Sequence, residues 1–256
     1  MQPIYMSLAA LGTVSVMDAV HTAKRTSLML LDQPISTAKL QICPQNRRGV
    51  WPAMCQQLVE LYPDTEFRLH ANVNVLGSPK IVDATGWGDY DEWWHALRRA
   101  SKALNAKAYT LHAGRRANST LTQIFDNVRA IQDFLGIPVG IEGMYPDTNN
   151  TWLVNTWDEY EIMWHCGVNY AIDLSHLNIV ANRESKYPYD LLQQLLSSPQ
   201  CIEVHISDNA GDADSHRHIT AQPWWWDSLA YVNPKADIFT EGYLVPHLIK
   251  QQEFSK

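Results

Sequence analysis

AYTLHAGRRANSTLTQIFDNVRAIQDFLGIPVGIEG, Ala108 to Gly143, holds one complete strand–helix–strand unit. AYTLHA (Ala108 to Ala113) is a short apolar and β-branched run, and VGIEG (Val139 to Gly143) is a second. Between them TLTQIFDNVRAIQDFLG (Thr120 to Gly136) is amphipathic and of helical length. Working outward, the same alternation continues in both directions. IYMSLA (Ile4 to Ala9), LQIC (Leu40 to Cys43), EFRLHA (Glu66 to Ala71), NYAID (Asn169 to Asp173), IEVHIS (Ile202 to Ser207) and DIFTEG (Asp237 to Gly242) read as strands, and EWWHALRRASKAL (Glu92 to Leu104) as another helix. Eight such units in 256 residues predict an α/β fold of the (β/α)8 TIM-barrel type, for which about 250 residues is typical. Enzymes on that barrel carry their chemistry at the C-terminal ends of the strands.

At or just after those ends stand nine side chains with metal-ligand chemistry: His70, His112, Glu142, Asp173, His176, His205, Asp214, His216 and Glu241. Imidazole and carboxylate suit zinc, manganese and iron. A buried group of unpaired carboxylates would be costly without cations, so the set predicts one multinuclear site. In DLSH, the three-residue offset lets Asp173 and His176 face the mouth while pointing to neighbouring ions. Asp214 and His216, two apart in an extended loop, would project to the same side and join His176 around one ion. Glu142 is the natural bridge, since a carboxylate has two oxygens to share. His70 and His112 would complete an ion on one side of it, and Asp173, His205 and Glu241 another on the far side. His218 lies close enough to serve as a fourth ligand or an acid. His21, His95, His165 and His247 fall on helix-like stretches and read as surface or packing residues.

Hydrophobic residues make up 46% and charged residues 18% of the chain, enough for one core, and no linker divides residues 1–256, so a single domain is expected. No apolar run approaches the roughly 20 residues that cross a bilayer, and the N-terminus lacks the basic region of a signal peptide. A cytoplasmic protein with no membrane partner is expected. Cys43, Cys55, Cys166 and Cys201 are scattered without a CxxC pair, which argues for reduced thiols. The net charge of −7 argues against a broad basic face for nucleic-acid phosphates. Arg115 and Arg116, directly after LHAG, are candidate phosphate contacts. Trp93 and Trp94 read as helix packing. Trp224, Trp225 and Trp226 follow Pro223 in a mouth loop and are candidates for stacking on a sugar ring or base.

The segments LHANVNVLG, LHAG, IEG, IDLSH, VHISDN, DSH and TEG, spread over Glu66 to Gly242, resemble the xylose-isomerase-like barrels. That group includes the AP endonuclease family 2 enzymes such as endonuclease IV, and the sugar isomerases and epimerases. The resemblance to the isomerases implies a metal set of Glu142, Asp173, His205 and Glu241. The resemblance to endonuclease IV implies three zinc ions per chain. His70, His112 and Glu142 would hold one; Glu142, Asp173, His205 and Glu241 a second; His176, Asp214 and His216 a third. The chain departs from endonuclease IV in three places. Its first strand lacks Ala-His-x-Ser, Ala-Asn-Val-Asn follows His70 in place of a Tyr-Leu wedge, and ITAQPWWW replaces a Gly-x-Gly.

Three enzymatic readings follow. The leading one is metal-assisted hydrolysis of a phosphate ester with Glu142 and Glu241 as catalytic groups, on a small or single-stranded substrate in preference to duplex DNA. In the second, one ion fixes a small sugar while Glu142 and Glu241 exchange a proton with carbon, and His176 binds substrate. The third is a multinuclear iron oxidase acting on a peptide, which the ligand set also resembles. A barrel that only binds has little reason to keep a complete ligand set.

Overall fold

The computed structural model describes residues 2–47 and 49–244, so His247 lies outside the described residues. Eight parallel strands close into a barrel: β1 (Ile4–Ser7), β3 (Gln33–Ile42), β4 (Glu66–His70), β5 (Tyr109–His112), β6 (Val139–Glu142), β7 (Tyr170–Asp173), β8 (Cys201–Ile206) and β9 (Asp237–Thr240). Each pairs with the next in that order, and β1 pairs with both β3 and β9 to shut the ring. The expected second strand, Leu40 to Cys43, is the end of the much longer β3. Its first residues fold back against β2 (Met29–Leu30), an antiparallel hairpin outside the barrel. Leu28 and Leu30 are buried there, and Pro34 tolerates the pairing because the ribbon is an edge. A two-residue strand carries too little pattern to be read from sequence.

Among the described residues seven α-helices clothe the strands: α1 (Val16–Arg25), α2 (Pro52–Leu61), α3 (Asp91–Leu104), α4 (Leu121–Leu135), α5 (Trp157–His165), α6 (Leu174–Glu184) and α7 (Tyr189–Ser197). In α4 the buried residues Ile124, Phe125, Val128, Ile131 and Leu135 form one stripe. The Thr120 side chain caps its start by accepting from Gln123 N–H, and Gly136, at φ 72°, ends it in the left-handed conformation. Trp93 and Trp94 are buried on α3, as their spacing predicts. Cys43, Cys55 and Cys201 are buried free thiols and Cys166 is half-buried. Among the described residues no helix is long and apolar enough to cross a membrane.

The barrel interior departs from the usual stacked aliphatic layers. Lys39 and Glu66 lie at its closed end. Above them Asp237 pairs with Lys39 at 2.8 Å and with the Arg68 guanidinium, and Arg68 pairs in turn with Glu203 at 3.0 Å. Arg68, Glu203 and Asp237 are all buried. A charged column therefore rises through the barrel to the floor of the mouth.

Candidate metal centre

The strands deliver the candidate ligands where the barrel places chemistry. His70, His112, Glu142 and Asp173 are the last residues of β4, β5, β6 and β7; His205 is the penultimate residue of β8, and Glu241 follows β9. His112 pairs with Glu142, and Asp173 with His205, in the sheet register. β7 runs straight into α6 with no loop between them. Asp173 caps that helix: its Oδ1 accepts from Ser175 N–H and His176 N–H, leaving Oδ2 facing His176 Nε2 at 3.5 Å. The first turn of α6, rather than an extended segment, thus aims His176 at the mouth.

Glu142 is the hub. Its Oε2 lies 3.4 Å from His70 Nε2 and 3.7 Å from His112 Nε2, while Oε1 lies 3.3 Å from His205 Nδ1 and 3.7 Å from His176 Nδ1. On the flap that follows β8, Asp214 Oδ2 sits 3.4 Å from His176 Nε2 and 3.1 Å from His216 Nε2, and His216 Nδ1 reaches Glu241 Oε2 at 3.7 Å. All nine predicted ligands therefore lie in one connected cluster. Within it the donor atoms of His70, His112 and Glu142 fall within 4.8 Å of one another, as do those of His70, His205 and Glu241, and those of Glu142, Asp173 and His176.

Most of these separations are long for direct hydrogen bonds. They are close to the roughly 3.4 Å that two ligands about 2.1 Å from a shared tetrahedral ion would show. Glu142 Oε2, His205 Nδ1, Asp214 Oδ1 and His216 Nδ1 are buried with no hydrogen-bond partner among the described residues. Such atoms are expensive unless a cation satisfies them, and an N and O donor set suits zinc, manganese or iron. The residues fit a metal centre.

Electrostatics set the groups apart. Burial pushes His70 down to about 3 and lowers His112 as well. Burial also opposes charge on His176 and His205, but carboxylates outweigh it: Asp173 and Asp214 at His176, and Glu241 and Glu142 at His205, hold both well above the usual imidazole value. Glu142 is buried too, yet the neighbouring His205 and His70 keep it well below the ordinary carboxylate range. Glu241 goes the other way and is pushed up to about 7, chiefly by burial.

The flap differs from its sequence reading. His216 has φ 44°, a left-handed backbone, so Asp214 and His216 are not an extended pair. The flap closes through a two-way backbone bridge between Asp208 and Arg217, at 2.9 and 2.8 Å. Asn209 pins it to α6, donating to Ser175 O and accepting from Asn178 Nδ2 and Gly211 N–H. Gly242 is required beneath it, since a Cβ there would lie 2.6 Å from Arg217 O. His218, half-buried, rides directly over Gly242. Gly143 has a similar reason: a Cβ would strike the Tyr160 ring, and its carbonyl takes His176 Nδ1–H at 2.9 Å.

Three expected substrate contacts, Trp225, Trp226 and Arg116, are corrected. Trp225 is 1% exposed and packs with the buried Trp226 in the core, because consecutive residues in this turn and short helix point inward together, so neither can stack on a ligand. Trp224 is half-buried, its indole N–H donated to Asn178 Oδ1 and its ring set edge-on to Tyr187 and Tyr189. Arg116 is spent on a fork to Glu159, at 2.8 and 3.0 Å, and on Trp152 O. Arg115 is exposed, with its guanidinium over the Trp152 ring. Of the histidines read as packing or surface, His21 meets the Tyr62 ring and His95 the Phe134 ring, while His165 lies on α5 against Trp164. The site also holds residues that the sequence reading missed: Ser7, Gln41, Arg68, Thr110 and Glu203 beneath the ligands, and Tyr145, whose ring lies 4.8 Å from that of His176. Beside Tyr145 and the flap opens a cavity of about 500 Å³ lined in part by Asp147, Ile179, Arg183 and Asp212.

No protein-family model matches the chain, and no curated protein matches it in sequence. Solved structures do match in fold. A D-tagatose 3-epimerase-like protein is similar with a TM-score of 0.68 at 15% identity, over 99% of this chain and 96% of that one. AP endonuclease, family 2, from Brucella melitensis gives 0.64 at 11% identity, over 94% and 93%. Endonuclease IV from Thermus thermophilus gives 0.53 at 15% identity, over 93% and 90%. The chain thus has the xylose isomerase-like TIM-barrel fold, shared with epimerases and endonucleases alike.

Proposed function

We propose that the chain is a divalent-metal-dependent phosphoesterase with a multinuclear site, zinc being the best match to its donors, acting on a small or single-stranded substrate. The observation that carries this reading is Glu142, whose Oε2 faces His70 and His112 while its Oε1 faces His205, as a carboxylate shared between two ions would. Ions bound there would supply Lewis-acid polarisation of a phosphoryl group and neutralise its developing charge. Glu142 and Glu241 are the catalytic groups of this reading, Asp173 orients His176 by capping α6, and the cavity beside Tyr145 has room for a small molecule. The loop after β4 supports the preference against duplex DNA: Val73 and Val75, which stand just after His70 where a wedge would be, are buried.

A second reading, a sugar isomerase or epimerase on the four ligands Glu142, Asp173, His205 and Glu241, draws on a separate observation. The barrel is similar over 99% of its length to a D-tagatose 3-epimerase-like protein, and Glu142 and Glu241, both buried at the mouth, would be the groups that exchange a proton with carbon. Elemental analysis of protein purified without added metal separates the two: about three ions per chain supports the phosphoesterase, one ion the isomerase, and iron in place of zinc the peptide oxidase. Assay of the loaded protein against phosphorylated sugars, nucleotides and an abasic duplex completes the test. Efficient incision of the duplex would overturn the substrate assignment.

A further inference from the structure

Glu203 stands two residues before His205 on β8, so both side chains face the barrel interior. It is 1% exposed. Its Oε1 accepts from Gln41 Nε2 at 2.7 Å, Thr110 Oγ1 at 2.8 Å and His205 Nε2 at 2.7 Å, and its Oε2 from Arg68 at 3.0 Å. An ionised carboxylate only accepts, and that fixes the direction of every bond around it. His205 must carry its proton on Nε2. Thr110 spends its one hydroxyl proton on Glu203, so toward His70 Nδ1, 2.9 Å away, it accepts. The nitrogens left for a cation are His70 Nε2, facing Glu142 Oε2, and His205 Nδ1, facing Glu142 Oε1, the latter once a bound cation takes the place of its proton. These are opposite tautomers of the same ring, held edge to face with centroids 4.8 Å apart.

We propose that Glu203 is the positioning residue of the metal centre: acting on His205 directly and on His70 through Thr110, it presents one unprotonated nitrogen beside each oxygen of Glu142. Arg68 serves it by keeping the carboxylate charged from below. The proposal rests on the metal-centre reading and is independent of which reaction runs there. A mere structural plug would pair with Arg68 without governing the rings above it.

The test uses the full zinc-loaded chain and three variants, with imidazole N–H protons followed by 1H–15N NMR and zinc affinity by chelator competition. Thr110→Val keeps the side chain's shape and removes the relay. It is expected to lose the slowly exchanging His70 Nδ1–H signal, keep that of His205 Nε2–H, and weaken zinc about 10- to 100-fold at one ion. Thr110→Ser should restore both properties. Glu203→Gln should lose both proton signals. The proposal is overturned if T110V retains the His70 signal and wild-type affinity, even if E203Q fails to fold. A wild-type chain that takes up no zinc, manganese or iron overturns the proposal together with the metal-centre reading. Loss of signal and affinity in T110V, with no phosphoester cleaved by the wild type, would sustain the proposal and remove only the assigned reaction.

Discussion

The strand-borne half of the candidate metal centre and its flap-borne half are built by different means. His70, Glu142 and His205 sit at the ends of β4, β6 and β8, fixed by sheet register and by hydrogen bonds that leave one ring nitrogen of each imidazole free. Asp214 and His216 ride on a segment whose backbone includes a left-handed residue, closed by one bridge and held down by Asn209. The floor is thus set by the fold, whereas the flap is set by a few local bonds that open more cheaply than a strand can move. Ions on the floor should bind tightly, and an ion under the flap should exchange.

The strongest way to break this comparison is Glu142→Gln, which removes the charge and one acceptor oxygen shared by both halves. Metal content should collapse and turnover should fall by more than about 100-fold, a larger loss than removal of a supporting group; unchanged metal by elemental analysis would show that Glu142 is not the hub. His176→Ala is next, because His176 stands at the seam, with Asp173 on one side and Asp214 on the other. One ion per chain should be lost while the others stay. Constant metal with weaker substrate binding, measured by the change in KM, would favour the isomerase. His216→Ala should act on the flap alone: stepwise chelation would release one ion early from the wild type and find it already absent in the variant. Parallel release of all ions from the wild type would contradict a graded site. The smallest effect belongs to Asn209→Ala, which leaves every ligand in place. Losing its buried hydrogen bonds should cost about 1–3 kcal/mol in denaturant unfolding and speed loss of the flap ion by a few-fold, with floor occupancy unchanged.

What could be read from the sequence follows the same division. A strand that ends on His or Glu announces both its register and its ligand, so the barrel and the gathering of nine candidate side chains at its mouth were legible. The groups beneath were also written there, though less openly. Arg68, Thr110 and Glu203 each stand two residues before a histidine, and on a strand that offset places them on the same face. Partners far apart in the chain were not legible. Nothing local ties Arg116 to Glu159, or tells that Trp225 turns into the core while Trp224 stays half-buried against Asn178. The left-handed backbone of His216 was hidden as well, since no glycine or asparagine marks it.

Barrel enzymes are commonly treated as two separable halves, a face that folds and a face that works, and that division is what makes their loops exchangeable. The charged column of Lys39, Asp237, Arg68 and Glu203 joins the two faces here. An engineer who grafts new mouth loops onto this scaffold inherits the electrostatics of its closed end. Conversely, a change made at Lys39 to improve stability would also retune the charge balance beneath the imidazoles of the opposite face.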